Sequence, residues 1–175
     1  MNESSSSAQN KPERVGFEIV TETDELTQLC TIWGAQDTIS LDTEFERTRT
    51  FYPRPALIQL GTADRIWLLD PLTILDFRAL AELLSRSTTT KILHSASEDL
   101  ELLARLTGTL PVPLFDTQIA AGLLGYGFSM GYQRMVQTFC DINLDKHETR
   151  SNWLKRPLSD SQLRYAAYDV HYLPT

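Results

Sequence analysis

Apolar and polar positions alternate strictly from Ile39 to Phe45. Ile39, Leu41, Thr43 and Phe45 share one parity; Ser40, Asp42 and Glu44 share the other. A period of two predicts a strand with one face buried. Short apolar runs at 17–20, 56–60, 66–69, 91–94 and 114–115 predict further strands, the first at an edge. A tight turn over 62–65, after Gly61, joins the runs at 56–60 and 66–69 into a hairpin. Between the strands the period changes. Leu26, Leu29, Ile32 and Trp33 predict a helix over 24–33 with Thr23 as N-cap. Leu80, Leu83 and Leu84 predict another over 77–84. Ser95-Ala96-Ser97-Glu98 has the form of a capping box, and the helix it opens runs through Leu106 and stops before Gly108. Asp116 stands where an N-cap belongs for a helix over 117–124. A further helix is predicted over 132–139. Ser159 to Gln162 is a second capping box, opening a last helix that runs to about Leu173. The order of elements predicts one mixed α/β sheet, with the first three strands antiparallel, later ones parallel, and helices on both faces. Residues 1–14 are polar and rich in serine and read as a disordered tail; the folded domain is expected over 15–175.

The chain has 175 residues, 42% of them hydrophobic and 22% charged, enough for one domain with its own core. No apolar stretch has the length of a membrane span. Cys30 and Cys140 are far apart and lack metal or redox spacing, so both read as buried apolar residues in a reduced, cytoplasmic setting. The formal charge of −7 argues against a generic nucleic-acid binder, whose affinity comes from neutralising phosphates. Two bound dications would bring that charge to about −3 and change the argument.

Candidate chemistry begins at Asp42 and Glu44. Two apart on a strand, they face the same way, roughly 7 Å apart along the backbone. Such a pair is either a solvent-washed strand face or half of a site for a hard cation. Two other acids stand where acids are costly. Asp99 shares a helical stripe with Leu102, Leu103 and Leu106, and Asp169 shares one with Tyr165, Ala166, Tyr172 and Leu173. Taken singly, dipole compensation or a Tyr165–Asp169 hydrogen bond explains either acid. Taken together, four carboxylates meeting at one place explain one another, and such a set selects Mg²⁺ or Mn²⁺. Two such ions about 3.5–4 Å apart are the usual apparatus for in-line attack on a phosphodiester. Tyr165 is then placed to orient the attacking water or act on its proton.

Cations interleaved with aromatics follow the Asp42 strand: Arg47, Arg49, Phe51, Tyr52 and Arg54. This pattern suits single-stranded nucleic acid and equally a plain charged loop. Lys146, Arg150, Lys155 and Arg156 form a second basic stretch that is either phosphate-binding or simply solvated. His94 reads as packing at a strand end.

Three blocks, LDTEFERTRTFYPRPALIQLG, KILHSASEDLELL and YAAYDVHYL, resemble the three motifs of the DEDD exonuclease superfamily. The Tyr165-x-x-x-Asp169 spacing resembles its tyrosine-bearing branch. ERTRTFYP and LDKHETRSNWLKRPLSDSQLRYAAYDV are similar to the matching blocks of the bacterial ribonuclease D family. The resemblance implies a ribonuclease-H-like fold, two divalent cations, and 3′→5′ removal of 5′ mononucleotides from RNA with a single-stranded 3′ end, typically precursor tRNA. It implies Asp42, Glu44, Asp99 and Asp169 as metal ligands and these four with Tyr165 as the catalytic set. Arg47, Arg49, Lys146 and Arg150 are the candidate RNA contacts. Longer members continue into helical HRDC domains; here the expectation is the exonuclease domain alone, as a monomer. DNA as substrate and a catalytically silent binding module are the alternatives.

Overall fold

The structure is a computed structural model that describes residues 10, 12–48, 50–145, 148 and 151–174. Its strands are β1 (Glu18–Val20), β2 (Thr38–Glu46), β3 (Arg54–Gly61), β4 (Ile66–Leu69), β5 (Thr90–Leu93) and β6 (Leu114–Asp116). Its helices are α1 (Thr23–Trp33), α2 (Arg78–Ser85), α3 (Ser97–Thr107), α4 (Thr117–Leu123), α5 (Tyr132–Cys140) and α6 (Asp160–His171). The strands form one sheet in the order β1-β4-β3-β2-β5-β6. β2, β3 and β4 are antiparallel neighbours, whereas β5 and β6 run parallel to β2. β1 closes one edge, parallel to β4. None of the helices is long and apolar enough to cross a membrane among the described residues.

The alternation along β2 decides which layer each residue enters. Ile39 and Leu41 join Leu26 and Trp33 of α1, Leu80 and Leu83 of α2, and Leu102 and Leu103 of α3 in one core. Residues of the opposite parity face the second layer, where Leu57 and Leu68 pack against Ala166, Ala167 and Val170 of α6. α6 sits close to the sheet because small groups line its seat. Ser40 Oγ donates to the Val170 carbonyl at 2.9 Å, and a Cβ at Gly61 would collide with that same Ser40 oxygen.

Two helix starts differ from the sequence expectation. Thr23 is the first residue of α1 rather than its cap; its hydroxyl accepts the Leu75 N–H at 3.1 Å. The Ser95–Glu98 box does not form: α3 begins at Ser97, with Ala96 in the N-cap position and Ser95 in the left-handed region at φ 58°. The donors before α3 go instead to Asp116, whose carboxylate accepts from Ser95 N and Ala96 N at 3.1 and 2.9 Å. Asp116 also caps α4 as expected, accepting from Gln118 N and Ile119 N. The box at Ser159–Gln162 is present and opens α6. Of the expected disordered tail, residues 1–9 and 11 lie outside the described residues. Its end is tethered: Tyr168 Oη donates to the Glu13 carbonyl at 2.8 Å, and Asn10 pairs with Asp141.

Arg156 does not offer its charge to a ligand. Its Nε and Nη2 donate to the two oxygens of Asp70 at 2.6 and 2.8 Å. Nη2 also donates to the Ala56 carbonyl and Nη1 to the Trp153 carbonyl. One guanidinium therefore ties the end of β4 and the start of β3 to the segment that leads into α6. Burial alone would raise the Asp70 pKa, but the Arg156 hydrogen bonds and the Leu72 N–H hold it below the usual carboxylate range. Because the folded value is the lower one, the stabilisation is present above about pH 4 and is lost as pH falls through the folded pKa. Asp70→Asn or Arg156→Met is expected to cost about 2–4 kcal/mol at pH 7, since either strands a partly buried partner. Urea melts of each variant at pH 7 and below pH 4 check this; a wild-type midpoint at pH 7 would refute it.

Candidate metal centre

Asp42 and Glu44 project from β2 toward α6, and Asp169 projects from α6 toward them. One carboxylate oxygen from each lies within 4.8 Å of the others. All three are half-buried. Tyr165, one turn before Asp169, hydrogen-bonds the Asp169 carboxylate and packs against Trp153, ring centroids 6.0 Å apart. Asp42, Glu44, Tyr165 and Asp169 line a cavity of about 180 Å³ whose other walls are His94 and Tyr132. The Tyr132 phenol is fixed by the last turn of α6, donating to the Tyr168 carbonyl at 2.7 Å.

Asp99 stands apart from Asp42, Glu44 and Asp169: it is neither one of the converging acids nor a wall of the cavity. It is buried, 7% exposed, in the first turn of α3. Thr43 Oγ1 donates to its carboxylate at 2.5 Å. Thr43 lies between Asp42 and Glu44 on β2 but points to the α3 side. Asp99 is thus moored to the strand that carries the other two acids, and its charge acts on both of them.

The electrostatics show what gathering these acids costs. Asp42 is pushed well above the usual carboxyl range, first by burial and then by Asp99, Asp169 and Glu44. Burial, with Asp169 and Asp99, pushes Glu44 up to about 9. Burial pushes Asp169 up to about 8 against the Tyr165 hydrogen bond, and Asp99 up to about 6 against the Thr43 hydroxyl. Carboxyl oxygens crowded this closely favour either protons or a cation. The donor set is all oxygen, and among the described residues neither cysteine is in the cluster, which fits a hard divalent cation.

Beside this cavity, sharing Glu44, a cleft of about 770 Å³ is lined by Arg47, Thr48, Arg54, Asn152 and Trp153 among others. Arg47 opens onto it but is already paired: Nη1 lies 2.9 Å from Glu101 and 3.4 Å from Glu98 of α3. Arg49, Lys146 and Arg150 lie outside the described residues. Tyr52 carries the Arg105 guanidinium 3.3 Å from its ring centre, whereas Phe51 is exposed. The His94 ring packs 5.6 Å from that of Tyr132, with Nδ1 2.9 Å from the Thr117 hydroxyl. Three contributors escaped the sequence reading. Thr43 looked like filler on the apolar parity, Arg156 like a surface cation, and Tyr132 like an ordinary amphipathic-helix residue.

This fold and acid cluster fit a nuclease-type metal centre, and the 3′-5′ exonuclease profile matches residues 17–174, so the chain belongs to that family. Within it, the chain is similar to ribonuclease D. It is 54% identical over 148 residues to ribonuclease D of Pseudomonas paraeruginosa, covering 85% of this chain and 39% of that one. It is 45% identical over 159 residues to ribonuclease D of Escherichia coli, covering 91% and 42%. The crystal structure of Escherichia coli RNase D, described as an exoribonuclease involved in structured RNA processing, superposes with a TM-score of 0.89 over 91% of this chain and 43% of that one. Brucella melitensis NrnC with bound Mg²⁺ is 27% identical, with a TM-score of 0.73 over 93% and 77%. The chain thus spans about two-fifths of the length of its ribonuclease D relatives. The family uses divalent metal ions, and the acid cluster is consistent with that.

A pH dependence follows from the raised carboxyls. Each binds its proton more tightly folded than unfolded, so without cations their joint contribution to stability is greatest below about pH 4. It then falls as pH rises through about 6, 8 and 9, the values of Asp99, Asp169 and Glu44. Divalent cations replace those protons and reverse the loss. Saturating Mn²⁺ is expected to raise Tm by about 5–10 °C at pH 8 and much less at pH 5. Melting curves with Mn²⁺ and with chelator test this; equal gains at both pH values would contradict it.

Proposed function

We propose that this chain is a metal-dependent exoribonuclease domain that hydrolyses phosphodiester bonds from RNA 3′ ends and releases 5′ mononucleotides. The observation that carries the proposal is the meeting of Asp42, Glu44 and Asp169 within 4.8 Å, from a strand and a helix more than a hundred residues apart in the chain. Asp99 is moored beside them by Thr43. Two divalent cations, Mg²⁺ or Mn²⁺, supply an activated water and charge neutralisation at the phosphate and the leaving 3′ oxygen when bound. Asp42, Glu44, Asp99 and Asp169 would hold them.

The remaining steps belong to the chain's own groups. Tyr165 stands one helical turn from Asp169 with its ring backed by Trp153, so its phenol is fixed at the cavity wall. There it orients the attacking water and takes part in moving its proton. The single-stranded 3′ end enters along the cleft beside Glu44, where Arg47 meets backbone phosphate. Arg47 would have to exchange Glu98 and Glu101 for phosphate, which makes its contribution small and dependent on salt. Arg49, Lys146 and Arg150 are assigned to the same path by their positions in the sequence. The substrate is RNA with a 3′ extension on a structured body, precursor tRNA in particular. Similarity to ribonuclease D supports this reading over DNA. We assign the activity to a cytoplasmic monomer, consistent with its two free cysteines.

Three outcomes are expected. A 5′-labelled single-stranded RNA with Mg²⁺ or Mn²⁺ should shorten one nucleotide at a time from its 3′ end, and stop with chelator or in Asp42→Ala. Tyr165→Phe should lower turnover by about 10²-fold while leaving Mn²⁺ affinity within about threefold; loss of Mn²⁺ binding would overturn the role given to the phenol. Arg47→Gln should weaken RNA binding and reduce the dependence of log Kd on log salt by about one. Binding of RNA without cleavage in either metal would remove the enzymatic reading altogether.

A further inference from the structure

Gln59 is the residue of the second layer that packing does not explain. It lies in the middle of β3, with no exposed surface. Neither its Oε1 nor its Nε2 has a hydrogen-bond partner, and among the described residues no other side chain has two such buried polar atoms unpaired. Leaving a buried amide atom unpaired is destabilising, so a group left this way calls for a cause. The backbone around it supplies none. β3 is paired on both sides, to β2 and β4, and its ladder takes up the nearby N–H and C=O groups.

The register points to the cause. Gln59 stands directly opposite Asp42. Cross-strand partners share a face and have Cβ atoms about 4.5–5.5 Å apart, within reach of a side chain as long as glutamine. On that face the row of β2 reads Ser40, Asp42, Glu44, and the facing row of β3 reads Gly61, Gln59, Leu57. Ser40 is satisfied by Val170, and Leu57 has nothing to offer a carboxylate. The acids nearby take up other donors: Asp99 the Thr43 hydroxyl, Asp169 the Tyr165 phenol. Gln59 carries the one uncommitted side-chain N–H₂ in the row facing Asp42.

We propose that Gln59 is a positioning residue of the metal centre, whose amide N–H₂ holds the Asp42 carboxylate in the orientation that ligates a divalent cation. The inference rests on the reading that Asp42 is a cation ligand. A carboxylate that binds a metal through one oxygen leaves lone pairs on the other, and a donor there fixes its angle. Groups in that role are typically worth 10–100-fold in metal affinity. The unpaired amide is then a local cost borne for cation binding, and the two effects separate on substitution.

Gln59→Met keeps the volume and removes both polar atoms. With chelator present, its urea midpoint should lie at or above that of wild type. Its Mn²⁺ dissociation constant, measured by calorimetry, should be about 10–100-fold weaker. A residue that merely fills space would give the first result without the second, so unchanged Mn²⁺ affinity in the folded variant overturns the proposal. Gln59→Leu gives the same comparison should the methionine variant aggregate. The parent reading has its own control. Wild type that binds Mn²⁺, and loses it in Asp42→Ala, keeps the metal centre whatever Gln59 does. Wild type that binds no Mn²⁺ removes both.

Discussion

Mutual repulsion among four carboxyl groups is the constraint around which this domain is built. Burial pushes all four above the ordinary carboxyl range, and for Asp42 and Glu44 the charges of the neighbouring acids add to it. Nothing in hydrophobic packing would place acids there, so the fold must hold them against their own preference. It does so with rigid parts. β2 is hydrogen-bonded to β3 along the stretch that carries the acids and to β5 just before it, from Thr38 to Ser40. α6 is pressed onto the same strands by a bare glycine at position 61 and the Ser40–Val170 hydrogen bond. The approach that brings Asp169 to Asp42 is therefore set by backbone contacts that lie outside the site.

The two faces of the sheet share the work unequally. The face covered by α1, α2 and α3 is an apolar core, and it delivers one acid, Asp99, through Thr43. The face covered by α6 carries the chemistry and is correspondingly smaller in apolar content. Polar clamps make up for this. Arg156 ties the approach to α6 onto the ends of two strands, and Asp116 organises the starts of both α3 and α4. The Arg156 charge is one that the sequence pattern presents as surface, whereas Asp116 was legible as the cap of α4 but not as the acceptor before α3. Their common effect is to fix the direction from which a functional helix meets the sheet.

Much of this was legible in the chain itself. The strict alternation from Ile39 to Phe45 places Asp42 and Glu44 on one face because a strand leaves them no other arrangement. Asp99 and Asp169 betray themselves as acids within apolar helical stripes, a local inconsistency of the kind expected at functional sites. What local pattern could not supply was partnership over long distance. The Thr43–Asp99 bond spans 56 residues, Arg156–Asp70 spans 86 and Ser40–Val170 spans 130. The Ser95 capping box failed for the same reason: a distant carboxylate, Asp116, took its donors. Arg47 was readable as a cation near the site, but not as one engaged by two glutamates of α3.

The most direct test of the account is anomalous diffraction from crystals of this chain soaked in Mn²⁺ near pH 8, where protons no longer compete strongly with the metal. The account predicts manganese peaks between the β2 acids and Asp169, with Asp99 facing the same ions. Manganese bound only elsewhere on the surface, or an ordered and empty acid cluster at saturating concentration, would contradict it.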